Sequence, residues 1–366
     1  MLTFTTAGES HGRCLIALVE GLPHGLRIDE DFINAELARR QGGYGRGDRM
    51  KIETDRVEVL SGVRSGHTIG SPVAMLIPNR DFRIDGSPAV TRPRPGHADL
   101  AGMQKFGITD ARDVLERASA RETAARVAAG ALAALLLREV GVEVIGYVTA
   151  VGSVRIAPPQ FDAAALRAAR DNSEMYCPAP DATQQMKKEI DAARADGDSL
   201  GGFIEVQAFE VPAGLGSYAQ WSQKLDGRLA RAVMSIQAIK SVEIGMGRDV
   251  AAARGSQVHD EIIAGPSGAP ARPTNRAGGI EGGLTNGCPV VVRAAMKPIP
   301  TLMRPLRTID METGGPADAS TERSDVCAVP AASVVVENAV AFELAAALLE
   351  RYGGDTLDEV VRRLKR

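Results

Sequence analysis

The sequence predicts an α+β fold in which antiparallel sheets pack around a central helical layer. Three observations carry that prediction. Short β-branched runs recur along the whole chain. They are separated sometimes by tight turns and sometimes by long loops, without the regular strand–helix–strand alternation of a doubly wound sheet. The Ala-rich segment 114–140 is apolar on every side in its later turns, which suits a helix buried between layers and not one lying on a surface.

Taken in order, LIALVEGL (15–22), RVEVLSGV (56–63), SPVAMLI (71–77), VEVIGYVTAVGSVRI (142–156), FIEVQAFEV (203–211) and CPVVVRAAM (288–296) have the branched, apolar content of strands. Helical patterns cover roughly 30–40, 114–140, 181–195, 222–238, 331–352 and 355–366, with Gly141 as a C-terminal cap for the second. No linker-like run and no repeat divides the chain, so residues 1–366 read as a single domain. Segments 41–50, 78–113, 265–287 and 303–328 are long loops dense in Gly, Pro and Arg. Loops of that length inside a compact chain are usually functional or disordered.

The totals exclude several function classes. Net charge is −3, giving no general attraction to nucleic acid or anionic membrane. The four cysteines form no C-x-x-C pair, and no two His stand four apart, so neither a redox dithiol nor a metal site is expected. No basic segment followed by an apolar run opens the chain, and no stretch reaches about 18 consecutive apolar residues. The expectation is a cytoplasmic protein with no membrane span.

Gly8-Glu9-Ser10-His11-Gly12 matches the G-x-S-x-G nucleophile elbow. The elbow needs a strand, a strained turn and a helix. Here CLIALVEGLP follows, which reads as a second strand, so Ser10 is not expected to be a nucleophile. His11 in this Gly-flanked loop and His97 in RPRPGHAD are better placed for proton transfer, because imidazole ordinarily titrates near neutral pH. The run from Arg39 to Lys51 sets five cations against one anion. It reads as a solvated flexible loop, as an RGG-like nucleic-acid segment, or as an anion pocket whose guanidinium forks hold phosphate and carboxylates. The acidic whole chain argues against RNA. Arg117 and Arg121, four apart, are expected to share one face of the long helix. Neither G-x-G-x-x-G nor a Walker A loop occurs, so a standard nucleotide site is not supported.

Together, GESHGRCLIALVEGLP, RRQGGYGRGDRMKIE, RPGHADLAG, ERASARETAARVAAG, QAIKSVEIG, NRAGGIEGGLTNG, KPIPT and RSDVCAVPAA resemble the motifs of the chorismate synthases, in that family's order and over nearly the whole chain. The resemblance implies a β-α-β sandwich assembled as a homotetramer. It implies a 1,4-anti elimination of phosphate from 5-enolpyruvylshikimate 3-phosphate, giving chorismate at the end of the shikimate pathway. Reduced FMN is required without net redox change, because the cofactor lends an electron and recovers it.

Roles carry over by resemblance. His11 would protonate or hold the reduced flavin, His97 would neutralise the departing phosphate, and Asp325 would orient the flavin edge that receives the ring proton. Ser10, Arg40, Arg46, Arg49 and Arg121 would contact substrate, with Arg40 and Arg46 also near reduced nicotinamide cofactor. Flavin contacts would fall on Arg117, Ala118, Ser119, Gln237, Ala238, Gly282, Lys297, Pro298, Ile299, Pro300, Thr301 and Arg323. Ala118 departs from the serine more usual in the helix motif, so only a backbone contact there would survive. No long insertion of the kind carried by relatives with a built-in flavin reductase is present, which implies dependence on an external reductase or reductant, with NADPH as a candidate source.

Overall fold

The computed structural model describes residues 1–47, 52–265, 268–322 and 324–365. Strands β1 (Thr3–Ala7), β2 (Cys14–Glu20), β3 (Glu58–Val59) and β4 (Val73–Pro78) form an antiparallel sheet in the order β1-β2-β4-β3. Its burial pattern shows its placement. Leu15, Ala17 and Val19 of β2 and Val73, Met75 and Ile77 of β4 are buried, while the residues between them are less so. Period-2 burial of this kind gives a sheet with one face on the core.

A second antiparallel sheet contains β5 (Glu143–Val151), β6 (Val154–Arg155), β7 (Gly202–Phe209), β8 (Ile239–Ile244) and β9 (Val290–Met296), in the order β8-β9-β7-β5-β6. Strand β5 is buried on both faces. Its outer face, Ile145 and Tyr147, packs against Leu166 of the helix Ala163–Asp171.

Between the sheets lie helices α1 (Glu30–Gln41), α4 (Thr123–Glu139), α7 (Leu225–Met234) and α8 (Val329–Tyr352), with α2 (Asp99–Phe106) and α3 (Arg112–Ala118) preceding α4, α5 (Ala163–Asp171) and α6 (Pro180–Ala195) between α4 and α7, and α9 (Leu357–Leu364) following α8. Helix α4 packs on the first sheet, α8 on the second, and the two pack on each other. Gly130 makes that crossing possible, because a Cβ there would collide with the Asn338 backbone. The core runs as one cluster from Leu2 to Val360. Antiparallel sheets around a helical layer are what the sequence predicts.

A buried ion network ties the layers. Glu337 of α8 accepts hydrogen bonds from Arg39 (2.9 Å), Arg170 (2.9 Å) and the Gly146 backbone N–H (2.9 Å). Burial opposes its ionisation, but the Arg39 and Arg170 cations outweigh it and hold the carboxyl below its usual range.

Several boundaries differ from expectation. Segment 114–140 is two helices, because Ser119 is extended (φ −60°, ψ 141°) and its hydroxyl accepts the Arg121 N–H at 3.2 Å, capping a fresh turn. Residues 78–113 hold α2 and the start of α3, and α5 is an unforeseen surface helix. Segment 222–238 yields only α7, followed by strand β8. The 24-residue α8 contains an 18-residue window of mean hydropathy 1.7, apolar enough to cross a membrane, but 83% of that window is buried inside the fold.

Candidate active site

The loops converge on a cavity of about 880 Å³. Ser10 and His11 enter from the β1–β2 loop, Arg40 and Arg46 from the end of α1, and His97 from the loop before α2. Ala118 and Ser119 come from the break between α3 and α4, Gln237 and Ala238 from the α7–β8 turn, and Lys297, Ile299, Pro300 and Thr301 from the segment after β9. Asp325, just ahead of α8, completes the polar wall. Leu115, Met234, Ile236, Ala332 and Val335 make an apolar one. The GESHG loop joins two paired strands with no helix after it, so no nucleophile elbow exists. Gly8 (φ +103°) is required there, since a side chain would strike the Cys14 carbonyl.

Both histidines are backed by buried carboxylates. His11 Nδ1 lies 2.9 Å from Glu116 Oε1, and the His11 backbone N–H donates to Glu116 Oε2 at 2.8 Å. His11 Nε2 lies 3.7 Å from Asp81 Oδ2. Burial would raise the Glu116 carboxyl, but the His11 hydrogen bonds and nearby Arg112 hold it below its usual range. His97 Nδ1 bonds Asp99 Oδ1. Asp99, fully buried, also accepts from Arg94 Nε (2.8 Å), Arg94 Nη2 (3.1 Å) and the Arg94 backbone N–H (3.1 Å). Against the penalty of burial, these donors keep its carboxyl well below the ordinary carboxylate range.

The cations are placed just as firmly. Arg40 donates to Thr123 Oγ1 (2.8 Å), the Ala120 carbonyl (3.0 Å) and Asp55 Oδ2 (3.4 Å). Burial pushes its guanidinium down to about 9, with Arg121 and Arg46 adding to the effect against Asp55 and Asp325. It remains a cation at neutral pH, and a bound anion would relieve it. Arg46 lies 3.2 Å from Asp325 Oδ2, and Asp325 Oδ1 accepts the Gly47 N–H at 2.7 Å. Lys297 is held by the Gly96 carbonyl, and burial followed by Lys240 lowers its ammonium.

Other expected site residues stand elsewhere. Arg117 and Arg121 do not share a face, because the helix breaks between them. Arg117 donates to the Gly8 carbonyl (2.9 Å) and to Thr6 (3.0 and 2.8 Å). Arg121 is buried behind Arg40, on Asp55 (2.7 Å) and Asn79 (2.9 Å). Gly282 sits in the Ile280–Thr285 hairpin, and neither it nor Pro298 lines this cavity. Arg49 and Arg323 lie outside the described residues. Lys240, Arg112, Glu116 and Asp99 were missed by sequence reasoning, although Asp99 lies two residues from His97 and Glu116 opens the ERASAR motif.

The residues fit a flavin. The cavity lies in the upper part of the range for cofactor sites, roughly 300–1,000 Å³, and its lining holds both apolar residues for a flat ring and cations for a phosphate. Gln237 Oε1 is buried in that wall without a hydrogen-bond partner among the described residues, an acceptor suited to a ring N–H.

Two carboxylate-backed histidines and several cations line one cavity, a set of groups suited to an anionic ligand and to proton transfer. The chorismate synthase family model matches residues 2–349. The chorismate synthase of Desulforudis audaxviator is 58% identical, covering 99% of this chain and 96% of the relative. That of Moorella thermoacetica is 55% identical, covering 100% and 97%. A crystal structure of a chorismate synthase superposes with a TM-score of 0.82 at 43% identity, covering 100% of this chain and 96% of the other. The chain belongs to the chorismate synthase family and is a lyase.

Proposed function

We propose that the cavity binds 5-enolpyruvylshikimate 3-phosphate beside reduced FMN, and that the chain eliminates phosphate from it in the 1,4-anti sense to give chorismate, the last step of the shikimate pathway. The observation that carries this reading is the placement of His11, His97 and Asp325 around one cavity with Arg40, Arg46 and Lys297. A substrate with one phosphate and two carboxylates needs such local cations in a chain whose net charge is −3.

His97 gives a proton from Nε2 to the phosphate oxygen as the C–O bond breaks, and keeps its Nδ1 proton in the hydrogen bond to Asp99. Arg40, Arg46 and Ser10 hold the substrate, with Arg121 behind Arg40 fixing Asp55 and Arg49 joining them. Flavin is held by Ala118, Ser119, Gln237, Ala238, Lys297, Ile299, Pro300 and Thr301 of this cavity, with Arg323 as a further contact. When bound, the reduced flavin supplies electron density that the elimination returns, so no net oxidation occurs. Asp325, fixed by Arg46 and the Gly47 N–H, orients the edge that receives the ring proton. His11 donates at the reduced ring and is steadied by Glu116. The apolar wall excludes water.

The same proposal includes one domain, a cytoplasmic homotetramer, no nucleic-acid or membrane partner, and reduction of flavin by an external reductase or reductant, with NADPH as a source. The test of the site is His97→Ala under saturating reduced FMN without oxygen. Turnover is expected to fall by roughly 10²–10⁴. Undiminished turnover would refute the leaving-group role.

A further inference from the structure

We propose that Asp99, clamped by Arg94, is the positioning residue that fixes the tautomer and aim of His97, keeping a proton on Nδ1 and presenting Nε2 to the cavity. Its catalytic consequence rests on the reading of His97 as the proton donor; the positioning itself does not. Asp99 is the first residue of α2 and is fully buried. Its two oxygens have different duties. Oδ2 accepts two donors that cannot rotate away, Arg94 Nε (2.8 Å) and the Arg94 backbone N–H (3.1 Å). Oδ1 accepts from His97 Nδ1 and from Arg94 Nη2 (3.1 Å). Arg94 is itself braced by Thr301 Oγ1 at 3.1 Å.

The donor count fixes the tautomer. Asp99 is an ionised acceptor, held so by Arg94. His97 Nδ1 also lies 3.1 Å from Arg94 Nη2, a donor, but its contact with the ionised Asp99 oxygen is the shorter of the two, so a neutral His97 carries its proton on Nδ1. When His97 gives its Nε2 proton to a phosphate oxygen, the imidazolium becomes this neutral ring with no rearrangement. Solvent returns a proton to Nε2 after product leaves. The charged groups around His97 are Arg94 on its own loop, Asp99 at the start of α2, and Lys297 from the segment after β9, which holds the adjacent Gly96 carbonyl.

Asp99→Asn inverts this arrangement. The two fixed donors at the Oδ2 position demand the amide oxygen, so the amide NH₂ faces His97 Nδ1. A neutral His97 must then carry its proton on Nε2 and accept at Nδ1. The wrong tautomer disables a histidine acid–base while leaving it in place.

The experiment is magic-angle-spinning NMR of the full-length, ¹⁵N-histidine-labelled protein at about pH 9, above the ordinary imidazole range. The His97 signals are assigned by their loss in His97→Ala. The expected result is an Nδ1–H ring in the unaltered protein and an Nε2–H ring in D99N. With reduced FMN, D99N should lose about 10²-fold in kcat, with KM for the substrate within about threefold. D99N added to His97→Ala should cost nothing more. An Nε2–H ring in the unaltered protein overturns the proposal even if D99N fails to fold, as does an unchanged tautomer in folded D99N. Full turnover by His97→Ala instead refutes the acid role of His97, and the ring signals still decide what Asp99 does.

Discussion

Replacing Glu116 by Gln tests the carboxylate that backs His11. Glu116 is 2% exposed and receives two hydrogen bonds from one residue, at 2.8 Å from the His11 N–H and 2.9 Å from its Nδ1. An amide of the same size satisfies the backbone N–H but turns its NH₂ toward the ring or toward Arg112, whose Nη1 lies 3.5 Å from Oε1. One hydrogen bond to a charged acceptor is lost, about 2 kcal/mol. The pH dependence follows from the folded-state carboxyl being held below its usual value. Its contribution is complete above the ordinary glutamate range, about 4.3, and disappears as pH falls through the lower folded-state value. Urea unfolding of both proteins should therefore show a difference of about 2 kcal/mol at pH 7 that shrinks toward zero in acid. A constant difference from neutral to acid pH, or none at pH 7, would contradict an ionised Glu116 held by the His11 hydrogen bonds.

Three further perturbations separate roles within the site and the core. Gly130→Ala places a methyl against the Asn338 backbone, where neither helix can yield, and should cost about 1–3 kcal/mol in denaturant unfolding with no specific loss of flavin affinity. Gln237→Leu removes the unpartnered Oε1 but also a 3.2 Å bond to Glu122. Stability should thus move by less than about 1 kcal/mol while reduced-FMN affinity, read by anaerobic titration, falls about tenfold. Ala118→Ser should change that affinity by less than about threefold if the contact is through backbone, and a gain beyond that would show a hydroxyl contact.

The layering was legible because Leu15–Val19 and Val73–Ile77 are short apolar runs and the helix after Thr123 is apolar all round in its later turns, and both patterns are local consequences of burial. The break at Ser119 was hidden because a serine cap is a single side-chain hydrogen bond inside a strongly helical composition. Helix α2 was hidden because eight residues ending at Gly107 carry too little periodicity to stand out from a Pro- and Arg-rich stretch. His11, His97 and Asp325 were visible as residue types in unusual loops. Glu116 became visible as the partner of His11 only once the fold brought it to residue 11, whereas Asp99 already stood two residues from His97. The expected common face of Arg117 and Arg121 failed for the same reason as the long helix. One points back to the β1 carbonyls and the other into a buried cluster with Asp55.

The central claim is that one cavity holds reduced flavin and a polyanionic substrate while its histidines move protons. The most direct measurement mixes the purified chain, chemically reduced FMN and 5-enolpyruvylshikimate 3-phosphate without oxygen, and follows phosphate and chorismate together. The account predicts equal amounts of both products, many turnovers per flavin, and flavin still reduced at the end. Phosphate without chorismate, turnover with no flavin, or oxidation of one flavin per product would contradict it.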